Sequence, residues 1–132
     1  MDIKIYYEDT DCGGVVYYAN FLKYFERART EYLADHGLSV AELQKQGTLF
    51  LVTHAELFYR SSAHYGETLE INTKVTPSRK TSLIFTHTIQ EQQTHRVVVE
   101  GSATLVTVDS TGKVRRVPPL VLQALPNINS TD

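Results

Sequence analysis

The sequence predicts a single α+β domain in which a long central helix is wrapped by a curved antiparallel β-sheet. Three observations carry that expectation. A short alternating segment opens the chain, the stretch 15–35 carries aromatic residues at helical spacing, and four β-branched alternating runs follow it with no second long helix. At 132 residues the chain falls within the usual span of one hydrophobic core, so residues 1–132 read as one domain with a frayed polar tail over 127–132.

Each element has a local reason. Ile3, Ile5 and Tyr7 alternate with Lys4, Tyr6 and Glu8, the two-residue period of a half-buried strand that should end near Glu8. Asp9-Thr10-Asp11-Cys12-Gly13-Gly14 then concentrates turn formers. From Val15 to Asp35 the period changes: Tyr18, Phe21, Leu22, Phe25, Ala28, Tyr32 and Leu33 share one helical face. His36-Gly37 supplies a stop, and Ser39-Val40-Ala41-Glu42 is a capping box that opens a short helix ending by Gly47. The runs 49–61, 67–76, 82–92 and 96–108 are strands separated by turn-forming residues, as in antiparallel hairpins. Pro118-Pro119 closes the sheet, with a helical turn reaching Leu125. This arrangement is the hot-dog topology. Its long edge strands would be unpaired in a monomer, so a homo-oligomer is expected, at least a dimer with a continuous sheet and more fully a dimer of dimers, a homotetramer.

Composition narrows the function classes. With 42% hydrophobic and 21% charged residues and no long apolar window, no integral membrane association is expected. The opening Met1 to Ile5 alternates and does not resemble a secretory leader, so a cytoplasmic address is expected. A net charge of −2 offers no field for nucleic acid, although Arg60, Arg79, Lys80, Arg115 and Arg116 could form a local anion site. The single cysteine, Cys12, has no base nearby in sequence to make it a nucleophile, and His36, His54, His64, His87 and His95 fall at no ligand spacing, so no metal site is expected. Arg29, three residues after Glu26 at the edge of the apolar face, reads as structural, an ion-pair partner or a snorkelling side chain.

The loop 9–14 is the densest signal. A helix N-terminus presents unpaired N–H groups and a positive dipole end that can polarise a carbonyl, and a nearby carboxylate can then act as base or nucleophile. Taken alone, Asp9 and Asp11 read first as caps and turn formers.

The full string decides between them. Tyr6-Tyr7-Glu8-Asp9-Thr10-Asp11-Cys12-Gly13-Gly14-Val15-Val16-Tyr17-Tyr18-Ala19-Asn20-Phe21, continued by Tyr24-Phe25-Glu26-Arg27-Ala28-Arg29, closely resembles the signature of the 4-hydroxybenzoyl-CoA thioesterase family of hot-dog proteins, in its YbgC-type acyl-CoA thioesterase branch. The resemblance extends more loosely to about Pro119 through Arg79-Lys80-Thr81-Ser82-Leu83. It implies that Asp11 is the catalytic carboxylate and Asp9 is structural. It also implies that the backbone N–H of Tyr18 donates to the thioester carbonyl. Many members carry histidine at that position, so here the role rests on the backbone. Tyr7 is a secondary candidate, since an alternating strand tyrosine is more often core. Arg79, Lys80, Arg115 and Arg116 would hold the phosphates of coenzyme A, which is part of the substrate, so no cofactor is expected. The implied activity is hydrolysis of an acyl-CoA thioester. An acyl group on acyl carrier protein, or a non-catalytic acyl-binding scaffold, is the alternative use of the same cleft.

Overall fold

The computed structural model describes residues 1–125, and the expected frayed tail over 127–132 lies outside them. Strand β1 (Asp2–Lys4) leads through a 3-10 turn (Tyr7–Asp9) to helix α1 (Asn20–Asp35) and helix α2 (Val40–Lys45). Strands β2 (Leu49–Tyr59), β3 (Thr68–Arg79), β4 (Ser82–Glu91) and β5 (Val97–Val108) follow, and helix α3 (Pro119–Ala124) closes the described chain. All pairings are antiparallel, in the order β1-β3-β4-β5-β2. This is the hot-dog arrangement, with α1 against the inner face of the sheet.

Two boundaries differ from the sequence expectation. The first strand stops at Lys4 because the Asp9 carboxylate accepts the Tyr6 N–H at 2.8 Å and folds the chain into a turn. Tyr7 therefore leaves the strand. The long helix begins at Asn20, five residues later than the aromatic spacing indicates. Val15 bridges His64 and the Val16 N–H donates to Ala63 O at 2.8 Å, so these β-branched residues are held extended by a distant segment. Long-range pairing overrides the local period there. The other elements sit within a few residues of expectation, and Ser39 caps α2 by accepting the Glu42 N–H at 3.2 Å.

The core forms where α1 meets the sheet. Phe21, Tyr24, Phe25 and Ala28 bury against Ile71, Ile89 and Val99, while Leu33 joins Leu43, Phe85, Leu105 and Val121 further along. A fully buried Phe side chain contributes roughly 1.5–3 kcal/mol, so this helix face anchors the domain. The closest approach is at Gly101 of β5, where a Cβ would stand 2.8 Å from Phe25 Cε2. Gly101 is therefore required by space. His87 of β4 is also in this core, stacked on Phe25 with ring centroids 4.4 Å apart and bonded through Nδ1 to Thr73 Oγ1 at 3.0 Å. Burial, with a smaller push from Arg29, lowers its pKa to about 3 and keeps it neutral.

The two sheet edges are unequal. β1 has three residues and β2 eleven. Arg60 N–H donates to Val98 O at 2.8 Å, which fixes the alternation of the ladder. Ala55, Leu57 and Tyr59 consequently turn their backbone groups away from β5 and toward the open edge. Val52 and Tyr59 on that edge are each 49% exposed.

Candidate active site

Asp9, Asp11 and the turn before α1 are built into one loop by backbone pairing. Asp9 O accepts both Tyr17 N–H and Asn20 Nδ2 at 3.0 Å, while its carboxylate accepts Tyr6 N–H. Every acceptor of Asp9 with an assigned bond serves the loop, which suits a structural residue. Asp11 differs. Its Oδ1 accepts the Gly13 N–H at 2.8 Å, closing a small turn, and its Oδ2 has no hydrogen-bond donor among the described residues. The carboxylate is exposed and keeps one oxygen open.

Asp11, Val15, Val16, Tyr18, Phe21 and Tyr59 line a cleft of about 410 Å³, with the chain from Arg60 to Ala63 as its far wall. Tyr18 lies two residues ahead of the first helical residue, in the turn leading into α1. The N–H groups of Asn20, Phe21 and Leu22 are taken by the carbonyls of Tyr17, Tyr18 and Ala19. Those of Tyr18 and Ala19 have no acceptor among the described residues. Of these two, Tyr18 lines the cleft together with Asp11, so an unpaired donor residue at the positive end of α1 and an open carboxylate oxygen share it. That combination suits attack on a polarised carbonyl.

The remaining predicted residues are placed elsewhere. Tyr7 is 77% exposed, packs edge-on against Tyr65 with centroids 6.0 Å apart, and does not line the cleft. Arg79 ends β3, and the Lys80 carbonyl next to it accepts the Val117 N–H at 2.9 Å, which gathers Arg79, Lys80, Arg115 and Arg116 into one neighbourhood. Arg115 pairs with Asp109 at 3.1 Å. Asp11 sits where β2 ends and β3 begins, whereas the basic set sits at the far end of β3. Twelve extended residues separate those ends, roughly 40 Å. Arg29 is half-buried and makes no ion pair within 4.0 Å among the described residues, so of its two structural readings the ion pair with Glu26 is not formed. Cys12 is exposed. No helix is long and apolar enough to cross a membrane, and no three His, Cys, Asp or Glu side chains cluster at metal-binding distance, among the described residues.

Sequence reasoning missed Tyr59. Its hydroxyl donates to Tyr18 O at 3.1 Å, and its ring meets those of Tyr18 and Phe21 edge-on at 6.3 and 5.9 Å. An aromatic closing a strand carries no local sign of a partner forty-one residues away.

The hot-dog frame, with an exposed carboxylate in a cleft at the start of α1, is the kind found in thioesterase-like proteins. The family model described as the thioesterase-like superfamily matches residues 6–125, and the chain belongs to that superfamily. Within it, the chain is similar to the acyl-CoA thioester hydrolase YbgC of Escherichia coli O6:H1, 39% identical over 107 residues that cover 81% of this chain and 79% of the relative. By fold it resembles a 1,4-dihydroxy-2-naphthoyl-CoA thioesterase from Synechocystis, with TM-score 0.90 at 21% identity over 98% of this chain and 96% of that one. It also resembles the 4-hydroxybenzoyl CoA thioesterase from Pseudomonas sp. strain CBS-3, with TM-score 0.85 at 20% identity over 94% and 96% of the two chains.

Proposed function

We propose that this chain is an acyl-CoA thioesterase in which the thioester carbonyl binds at the Tyr18 N–H group and Asp11 drives its hydrolysis. The carrying observation is the open Asp11 oxygen in the same cleft as Tyr18, whose backbone N–H is unpaired among the described residues. Asp11 either removes a proton from an attacking water or attacks the carbonyl itself to form a transient anhydride that water then cleaves. In both routes the carbonyl oxygen gains negative charge, the Tyr18 N–H stabilises it, and the C–S bond breaks to release coenzyme A; the free acid forms in that same step in the first route and on hydrolysis of the anhydride in the second. The kinship with acyl-CoA thioester hydrolases supports the same activity. A cytoplasmic setting and the absence of a separate cofactor fit a substrate that brings its own coenzyme.

The working unit is a homo-oligomer built on a dimer. β2 exposes an unpaired edge of eleven residues, and an antiparallel second copy would complete it. A two-fold axis across β2 turns the partner's far end toward Asp11. The basic set of one protomer then flanks the cleft of the other, where it can hold the coenzyme phosphates.

Asp11→Asn tests the chemistry. Asparagine Oδ1 can still accept the Gly13 N–H, so fold and assembly persist. Free-thiol release from short, long and aromatic acyl-CoAs, and from acyl carrier protein thioesters, should fall by at least a hundredfold. Near-normal turnover by the variant would sink the assignment of Asp11. No turnover by the wild type on any thioester would instead favour a binding scaffold.

A further inference from the structure

We infer that Asn20 is a positioning residue for thioester hydrolysis: its side-chain amide ties the first turn of α1 to the Asp11 loop and so sets the separation between the Asp11 carboxylate and the Tyr18 N–H. The inference rests on the roles given above to those two groups.

Asp11 and Tyr18 belong to different segments, the loop 9–14 and the turn into α1, and attack on a polarised carbonyl needs them at one fixed separation. The two segments meet at a single atom, Asp9 O, two residues before Asp11. It accepts Tyr17 N–H at 3.0 Å and Asn20 Nδ2 at 3.0 Å. Tyr18 lies between these two donors in the chain. Asn20 acts on the turn a second time, because its backbone N–H donates to Tyr17 O at 2.9 Å and orients the peptide plane that carries Tyr18 N–H. Three hydrogen bonds thus close a ring through Asp9, Tyr17 and Asn20, and a side chain makes only the one from Asn20 Nδ2. With the Tyr17 bond alone the turn pivots about one contact. The amide gives it a second point of attachment to the loop that carries the carboxylate.

The residue type fits this use. The start of α1 has no side-chain cap, and Phe21 N–H reaches Tyr18 O only at 3.4 Å, so the helix holds its own first turn loosely. Aspartate would suit the positive helix end better by charge, and alanine by helix propensity. At neutral pH neither can donate to a carbonyl. Asn20 is half-buried and is not among the residues lining the cleft, so it acts through the backbone it holds and not on substrate.

The test compares full-length wild type, Asn20→Leu and Asn20→Ala, each with and without Asp11→Asn. Initial rates of thiol release against acyl-CoA concentration, thermal unfolding midpoint and mass by light scattering are read for each. Leucine keeps the branched shape of asparagine and loses the donor; alanine removes the whole group and is favoured in a helix. Both variants should keep their mass, hold the unfolding midpoint within about 2 °C, hold KM within about twofold and lose roughly tenfold in kcat, the effect of a misplaced reacting pair. In the Asp11→Asn background the same substitutions should change the residual rate by less than about twofold, because no carboxylate is left to position. Wild-type kcat in either variant overturns the proposal, as does a raised KM at unchanged kcat. A kcat loss that appears only with a lower unfolding midpoint or a changed mass, or that persists in full beside Asp11→Asn, marks a structural role and overturns it as well. Wild-type turnover that Asp11→Asn lowers and both Asn20 variants preserve removes this inference alone, whereas an inactive wild type removes the thioesterase reading with it.

Discussion

Replacing Gly101 by alanine should destabilise the domain, because the added methyl group has no room. The backbone of Gly101 is ordinary extended strand, so alanine there would by itself be favourable by roughly 0.5–1 kcal/mol. The space decides the sign. A Cβ at this position meets the Glu56 carbonyl and stands 2.8 and 3.0 Å from Phe25 Cε2 and Cζ, whereas carbon atoms pack at about 3.5–4.0 Å. Neither neighbour moves cheaply. Glu56 is part of the β2–β5 ladder, and Phe25 is 1% exposed in the helix face that anchors the core. Overpacking of this kind costs about 1–3 kcal/mol, and with two contacts this short the upper half of that range applies, which leaves a net loss of about 1–2.5 kcal/mol once the strand preference is subtracted. With a urea slope of about 1–3 kcal/mol per molar, the unfolding midpoint should drop by roughly 1 M. Adding Phe25→Leu should cost less in the Gly101→Ala background than in wild type, by more than about 0.5 kcal/mol of coupling. A midpoint equal to or above wild type, or a strictly additive cycle, would refute the close approach as the reason for glycine.

Two further outcomes follow from the same structure. Ala55→Pro removes an N–H that points to the open edge and leaves the β5 ladder intact, so the variant should run as a folded monomer by light scattering with much reduced thiol release; a persistent dimer would show that β2 is not the interface. His87 is neutral when folded, with a pKa of about 3, but takes up a proton near pH 6.5 when unfolded. Its contribution is therefore present above about 6.5 and is lost as pH falls from there toward 3, at about 1.4 kcal/mol per pH unit. The difference in unfolding free energy between wild type and His87→Gln should shift by about 2 kcal/mol against wild type from pH 7 to pH 5, and a constant difference would contradict the buried neutral state.

Much of the site was legible because its parts are close in sequence. Asp9, Asp11 and Tyr18 fall within ten residues, and the string that resembles the thioesterase family runs through them. The Ser39 N-cap and the four long strands were legible for the same reason, since turn chemistry and two-residue alternation act over a few residues, although the reciprocal Glu42 bond of the expected capping box is not formed. Tyr7 was misread as a strand residue because the bond that turns the chain, Asp9 to the Tyr6 N–H, leaves no mark on the alternation. The early end of the aromatic period at Tyr18 was equally hidden, as Val15 and Val16 are held by residues 63 and 64.

By itself the sequence determined the α+β class, the long helix and its aromatic face, and the carboxylate loop ahead of it, all products of short-range spacing. Only the tertiary structure decided which N–H groups stay unpaired, that Tyr59 reaches Tyr18, that Gly101 must lack a side chain, and that the basic set lies a sheet's length from Asp11. Each of these depends on contacts between segments far apart in the chain, and local periodicity carries no information about where such segments meet.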